Sequence, residues 1–422
     1  YNYRQKYAFC YNNENLYRKV GYELMKKSRQ RRKFFSGILF SAACMGCVMI
    51  TPVSAAVSSQ DAVTDFSVRL FQASRTPGSS TLVSPFSVLS ALSMTANGAH
   101  GNTLAQMEEV FGISVEELND YFRKCLSEQG GSLAAANSIW LNEQSGLLAS
   151  PEFTETVTDY YHSEVFEEPM NEETLEKING WVDEKTEGMI PEILDEIQPD
   201  TLMYLLNALS FQSKWETVYG ADDVFSGTFT EEDGTERETD MMRSTESVWL
   251  EGEGAQGFLK YYEGGRYAFA ALLPEEGTSL DDYVDSLTGE KLSEILSRKK
   301  EGYTVHAVIP KFRSETSKEL TETLKSLGIT DAFSQQADFS RMYGTAGNPG
   351  VKISEVIHKT FIEVNEQETK AAAATEVGIM ETALITDDSE KYVSLDRPFL
   401  YMLVDCQDNL PLFLGTMYSP EN

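Results

Sequence analysis

Residues 365–391 read NEQETKAAAATEVGIMETALITDDSEK, between a strand-like run ending at Val364 and the aromatic Tyr392. The stretch has no Pro and one Gly, and a loop this long inside a compact domain is usually functional or disordered. Its composition is unlike a linker's. An Ala tract at 371–374 is followed by Val377, Ile379, Met380, Leu384 and Ile385, all residues that suit a sheet. With every amide free to join a ladder, the segment can become a strand, although local propensity alone favours a short Ala-rich surface helix. Side-chain parity separates the two readings. Counted alternately, one set is Thr369, Ala371, Ala373 and Thr375, and the other is Glu368, Lys370, Ala372, Ala374 and Glu376. Every charge falls on one parity, a separation that belongs to a strand and that a helix of alanines does not require.

The flanks carry helices and strands of a mixed domain. Downstream, RPFLYMLVD (397–405) and PLFLGTMY (411–418) are apolar strands. Upstream lie an expected strand over Val351–Val364, a helix near Ser317–Leu327, a strand into Ile309–Phe312, and two short amphipathic helices around Leu280–Leu287 and Lys291–Lys299. Phe225–Pro274 reads as a series of short strands with Gly and Asp turns. TLMYLLNALSFQSKW (Thr201–Trp215) has the long apolar run of a strand buried on both faces. Helices are expected over Glu172–Glu187 and Pro151–Tyr161, and a β pattern at AAANSIWLN (134–142). Residues 62–128 read mostly as helices, one opening at Ser84-Pro85 with a capping Ser and a first-turn Pro. Helices first and strands interspersed with helices afterwards, without repeat or linker, indicate one α+β domain.

Charge marks a boundary in the 422-residue chain. The net charge is −31, yet of its 35 Lys+Arg and 66 Asp+Glu, ten basic and two acidic residues lie in 1–55; the rest carries 25 against 64, a net of −39. So acidic a domain lacks the clustered Lys and Arg that nucleic acid, heparin-like polyanions or anionic membranes demand. From Met25 the sequence runs MKKSRQRRKFF, an apolar stretch over Gly37–Ile50, then TPVSAA, the three parts of an export signal. Residues 25–55 are therefore expected to be a signal peptide, residues 1–24 an extension outside the natural product, and 56–422 the folded domain. The alternatives are an uncleaved membrane anchor and a lipoprotein signal acylated at Cys44, which would tether the product to the cell surface. The expected location is extracellular, the source a Gram-positive-type bacterium, and no membrane contact is expected beyond the signal. Cys125 and Cys406 remain in the domain and make no disulfide framework.

Signatures of catalysis are missing. His100, His162, His306 and His358 are scattered singly, with no HExxH, nucleophile elbow, phosphate loop or dinucleotide fingerprint. No metal, no cofactor and no enzymatic activity are expected.

Several blocks in order give the chain a resemblance to the serpin family over residues 60–422. They are SPFSVLSALSMTANGAHGNTLAQM (84–107), WVDEKTEGMI (181–190), NALSFQSKW (207–215), IPKF (309–312), LKSLGITDAF and ADFS (324–340), SEVIHKTFIEVNEQ (354–367) and the closing strands. The resemblance implies a serpin fold of about nine helices and three β-sheets, A, B and C, with an exposed reactive centre loop at about 366–391. It implies a monomer whose partner is a target serine protease. The protease cleaves the loop, forms an acyl-enzyme, and is trapped when the loop inserts into sheet A faster than water hydrolyses the ester.

By matching motifs, the resemblance assigns Ser84, Ser87, Asn207 and His358 to the shutter beneath sheet A, and Trp215, Lys311 and Glu366 to the breach, with Glu366 paired to Lys311. The hinge is Glu366, Gln367, Glu368, Thr369, Lys370, Ala371, Ala372, Ala373, Ala374 and Thr375. Glu368 stands where inhibitory serpins carry Gly, which bears on insertion speed. The usual spacing from Glu366 puts the reactive bond at Thr382–Ala383, with Met380–Glu381 as the alternative. No Arg or Lys is near, so elastase-like or subtilisin-like proteases are the expected targets. A non-inhibitory serpin, acting as a binding protein or a protease substrate, is the alternative function.

Overall fold

The apolar run at 201–215 forms a strand, Met203–Phe211, buried at every position. It lies inside a mixed sheet in a computed structural model that describes residues 58–127, 132–146, 148–199, 201–345, 350–366 and 389–420. The signal region with Cys44, the hinge from Gln367 to Thr375, and both candidate bonds, Thr382–Ala383 and Met380–Glu381, lie outside the described residues.

The strands are β1 (Thr81–Val83), β2 (Leu133–Asn142), β3 (Glu164–Glu168), β4 (Met203–Phe211), β5 (Val224–Thr230), β6 (Glu236–Gly252), β7 (Ala255–Tyr261), β8 (Tyr267–Pro274), β9 (Lys300–Pro310), β10 (Phe312–Glu319), β11 (Glu355–Val364), β12 (Glu390–Ser394), β13 (Phe399–Asp405) and β14 (Leu410–Met417). The helices are α1 (Ser59–Ser74), α2 (Pro85–Gly98), α3 (Gly101–Phe111), α4 (Val115–Ser127), α5 (Pro151–Tyr161), α6 (Glu172–Lys185), α7 (Leu280–Ser286), α8 (Gly289–Ser297), α9 (Thr321–Leu327) and α10 (Ser340–Tyr343). The Ser84-Pro85 and Ser150-Pro151 pairs open α2 and α5, each Ser hydroxyl accepting a first-turn amide.

Two hydrogen-bonded sheets result among the described residues, both with helices packed against them. One has five strands in the order β10-β11-β4-β2-β3; the other has nine, in the order β1-β14-β13-β8-β7-β6-β9-β12 with β5 on β6. Three sheets were expected from the resemblance. The difference comes from β6, a continuous 17-residue strand where short ones were expected, which pairs with β5, β7 and β9 and so joins two expected sheets into one ladder. Ten α-helices are described where about nine were expected; α7, α9 and α10 each run seven residues or fewer. The helix expected from Ser317 starts at Thr321, because Phe312–Glu319 is the edge strand of the five-stranded sheet.

Most buried side chains belong to one core between the sheets and α1–α5. A smaller cluster lies on the other face of the five-stranded sheet. There Leu175, Ile178 and Val182 of α6 cover Tyr204, Leu206 and Ala208 of β4. Both faces of β4 are thus out of water, which is why its sequence shows no alternation.

Candidate functional site: the seam between two parallel strands

At the centre of the five-stranded sheet, β11 and β4 run parallel and pair directly from Glu355 opposite Tyr204 to Phe361 opposite Ser210. Beyond that point Ile362, Glu363 and Val364 keep their partners in β10 but have none in β4. The two strands separate at the end where the 367–388 segment leaves, and no strand stands between them over 355–361.

A polar row crosses the seam on the core face. His358 sits opposite Asn207, and Asn207 opposite Asn137 of β2. The Ser84 amide donates to His358 Nε2 at 3.0 Å, while the Ser84 hydroxyl donates to the Leu412 carbonyl at 2.7 Å and accepts from the Ser87 amide at 3.3 Å. Asn207 donates to Asn137 Oδ1, and Asn137 in turn reaches Ser90 Oγ (3.3 Å) and the Tyr161 carbonyl (3.4 Å). Burial drives the His358 pKa down to about 3, so the ring is neutral. Because Nε2 accepts a proton donor, the ring's own hydrogen is on Nδ1. His358 Nδ1, Asn207 Oδ1 and Ser87 Oγ are buried and find no hydrogen-bond partner among the described residues. The row is therefore held by few bonds.

Four residues outside the expected set extend this hold. Thr360 Oγ1 donates to the Leu82 carbonyl of β1 at 3.2 Å, and Thr316 Oγ1 accepts the Leu82 amide at 3.1 Å, which ties β10 and β11 to one point behind the sheet. Asn137 links the row to α2 and α5. On the opposite face, Lys359 Nζ donates to the Glu192 carbonyl at 3.0 Å and fastens β11 to the segment that follows α6. A parity count from His358 would have found Thr360, two residues on; Thr316 is its register partner in β10.

Where the strands part, two clamps hold the root of the loop. Trp215 Nε1–H donates to the Asn365 carbonyl at 2.9 Å, its ring stacked on Tyr262 at 4.3 Å. Lys311 Nζ lies 3.0 Å from Glu366 Oε1 and 3.3 Å from Asp240 Oδ2. Burial would raise the Glu366 carboxyl, but a backbone N–H and the Lys311 ammonium outweigh it and keep the group below its ordinary value. Burial would likewise lower Lys311, and its two carboxylate partners outweigh that and raise it. Of the expected residues, then, Ser84, Ser87 and His358 come together directly, Asn207 joins through register, and Trp215, Lys311 and Glu366 meet at the root.

Other surfaces are quieter. Arg123 is engaged by Asp120 and lies over the Tyr160 ring, and Lys124 faces Asp408. Cys125 and Cys406 are free thiols, both pushed up to about 11, chiefly by burial. Among the described residues no His, Cys, Asp and Glu group is placed to hold a metal ion, and no helix is long and apolar enough to cross a membrane.

The site is thus a mixed sheet whose two central strands run parallel, pinned from behind and clamped just beyond their last paired residues. The family model described as "Serpin (serine protease inhibitor)" matches residues 61–420, and the chain belongs to the serpin family. It is 32% identical over 377 residues to leukocyte elastase inhibitor A of Mus musculus, covering 84% of this chain and 97% of that protein. An uncharacterised serpin-like protein of Thermococcus kodakarensis is 30% identical over 375 residues, 86% of each chain. Among solved structures, the thermophilic serpin tengpin in its native state is 40% identical with a TM-score of 0.78, over 86% of this chain and 94% of that one. Tengpin in its latent state is 38% identical with a TM-score of 0.73, over 86% and 97%.

Proposed function

We propose that this chain is an exported bacterial inhibitor that traps serine proteases covalently. The protease serine attacks the carbonyl of Thr382, or of Met380 in the alternative register. The peptide bond breaks, the new amine at Ala383 leaves, and an ester joins the protease to the loop. The released segment then enters the seam between β4 and β11 before water can cleave that ester. One observation carries the reading: the two central strands are paired directly along 355–361, already parted above, and clamped at Asn365 and Glu366. The sequence supplies the matching strand, with small residues on one parity and charges on the other.

The absence of Arg and Lys at 377–386 and the likeness to leukocyte elastase inhibitors favour elastase-like or subtilisin-like targets. Residues 25–55 would direct the domain 56–422 out of the cell as a monomer, with attachment at the surface if Cys44 carries a lipid. A second reading rests on Glu368, which stands where the family's inhibitors have Gly. A slower hinge would leave a non-inhibitory serpin that is cleaved as a substrate or serves as a binding protein. Incubation with an elastase-like protease decides between them. Trapping gives a complex that survives denaturation, and the mass of the released C-terminal fragment begins at Ala383 or at Glu381. Cleavage without any complex refutes the inhibitory reading.

A further inference from the structure

Beside Trp215 lies a charge that its strand does not need. Lys260 follows the buried Phe258 and Leu259 on β7 and is itself 1% exposed. Its Nζ is 3.0 Å from Glu246 Oε1 and 3.1 Å from the Thr217 carbonyl. Its remaining surroundings are aromatic: the Tyr219 centroid is 4.4 Å away and the Trp215 centroid 5.3 Å. Glu246 accepts a hydrogen bond from the Ser244 hydroxyl at 2.6 Å and sits at the register shift of β6 against β9. An apolar side chain of the same length would fill this space without a partner, whereas a buried ammonium demands a carboxylate and loses its hydration.

The ammonium does one thing that an apolar chain could not. It is drawn to the faces of aromatic rings, most strongly to an indole, and in a desolvated site that attraction fixes where the ring stands. Trp215 is the ring whose N–H holds the Asn365 carbonyl, one residue beyond the end of β11. We propose that Lys260 is a positioning residue for the opening of the sheet: with Glu246 as counter-charge, it holds the Trp215 indole so that the clamp on Asn365 stays closed. Lys260 thereby sets how fast the seam admits a strand, an inference that rests on the insertion reading above.

A synthetic peptide with the sequence of residues 368–381, added to the full uncleaved chain, measures this without a protease. Uptake into the seam is followed as the rate at which the protein gains heat resistance. Lys260→Met is expected to raise that rate about thirtyfold, the factor that corresponds to one desolvated cation–ring attraction. Lys260→Met with Glu246→Gln, which leaves no lone carboxylate, should give the same increase. In a Trp215→Phe background the clamp's N–H is already gone, so Lys260→Met should add nothing. A residue that merely packs would lower the melting temperature equally in both backgrounds. An uptake rate unchanged by Lys260→Met, or raised by the same factor with and without Trp215, overturns the proposal. A wild-type chain that neither takes up the peptide nor traps a protease overturns the insertion reading itself, and this inference with it.

Discussion

His358 makes the hold on the seam dependent on pH. Its imidazole is wholly buried, neutral, and accepts the Ser84 amide at Nε2; across β10 its register partner is Lys318, whose ammonium bonds the Ser74 carbonyl. Protonation would abolish the Ser84 bond and place a second cation in the same row. The folded pKa, about 3, is below the unfolded value of roughly 6.5, so the unfolded chain binds a proton more readily. This contribution to stability is fully present above pH 6.5 and is lost as the pH falls toward 3. The loss grows by about 1.4 kcal/mol per pH unit in that window, reaching roughly 2 kcal/mol at pH 5. Urea unfolding of the wild type and His358→Gln, followed by circular dichroism from pH 8 to pH 5, isolates it from the titrating carboxylates common to both. The wild type should lose about 2 kcal/mol more than the variant over that range. A difference between the two proteins that stays constant, or widens in acid, would refute both the neutral buried imidazole and its part in the pin.

The remaining perturbations touch the root and the hinge. Lys311→Met breaks a pair whose side chains are 21% and 41% exposed, so solvent screening keeps the cost below about 1 kcal/mol; a calorimetric loss several times larger would show that the clamp carries stability rather than geometry. Thr369→Arg puts a charge on the small-residue parity and is expected to convert an inhibitor into a substrate, with loop cleavage retained and the gel-stable complex lost. Survival of the complex in that variant would defeat the parity argument.

What was legible in the sequence depended on whether a segment's partners leave a trace in its own residues. Met203–Phe211, Phe399–Asp405 and Leu410–Met417 are buried on both faces, so their apolar runs announced them. Pro151–Tyr161 was expected as a helix, and its start carries a capping Ser150 and a first-turn Pro151. FRSETSKE, by contrast, has no apolar alternation worth reading; it is a strand because β11 lies beside it, and its outer side chains stay wet. Glu390–Ser394 is likewise made a strand by β9. In the site, Ser84, Ser87, Asn207 and His358 could be named because family motifs surround them; Thr360 lies in the same block as His358, two residues on, and was passed over, while Asn137 and Thr316 carry no motif and needed the register. Lys260 was the least legible. A lone Lys in a strand reads as solvated, and Glu246, which makes its burial tolerable, belongs to a different strand.

The topology also explains why the pins need only be weak. In the insertion proposed above, the segment after Glu366 would reverse direction to return along the seam, and β4 and β11 are parallel to each other. A single returning strand is therefore antiparallel to both. Insertion exchanges one parallel ladder, the slightly less stable kind, for two antiparallel ladders, so the hydrogen bonds lost along 355–361 are replaced on both edges of the new strand. Against that gain stand the Ser84, Thr360 and Trp215 contacts, each worth about 1 kcal/mol net. Such contacts cannot make the closed sheet the stable state once the loop is cut free. In the proposed mechanism they would delay its opening, and a delay is what such an inhibitor would need while it waits for a protease. For the same reason, substitutions at the pins and clamps should alter the rate of insertion far more than its final extent.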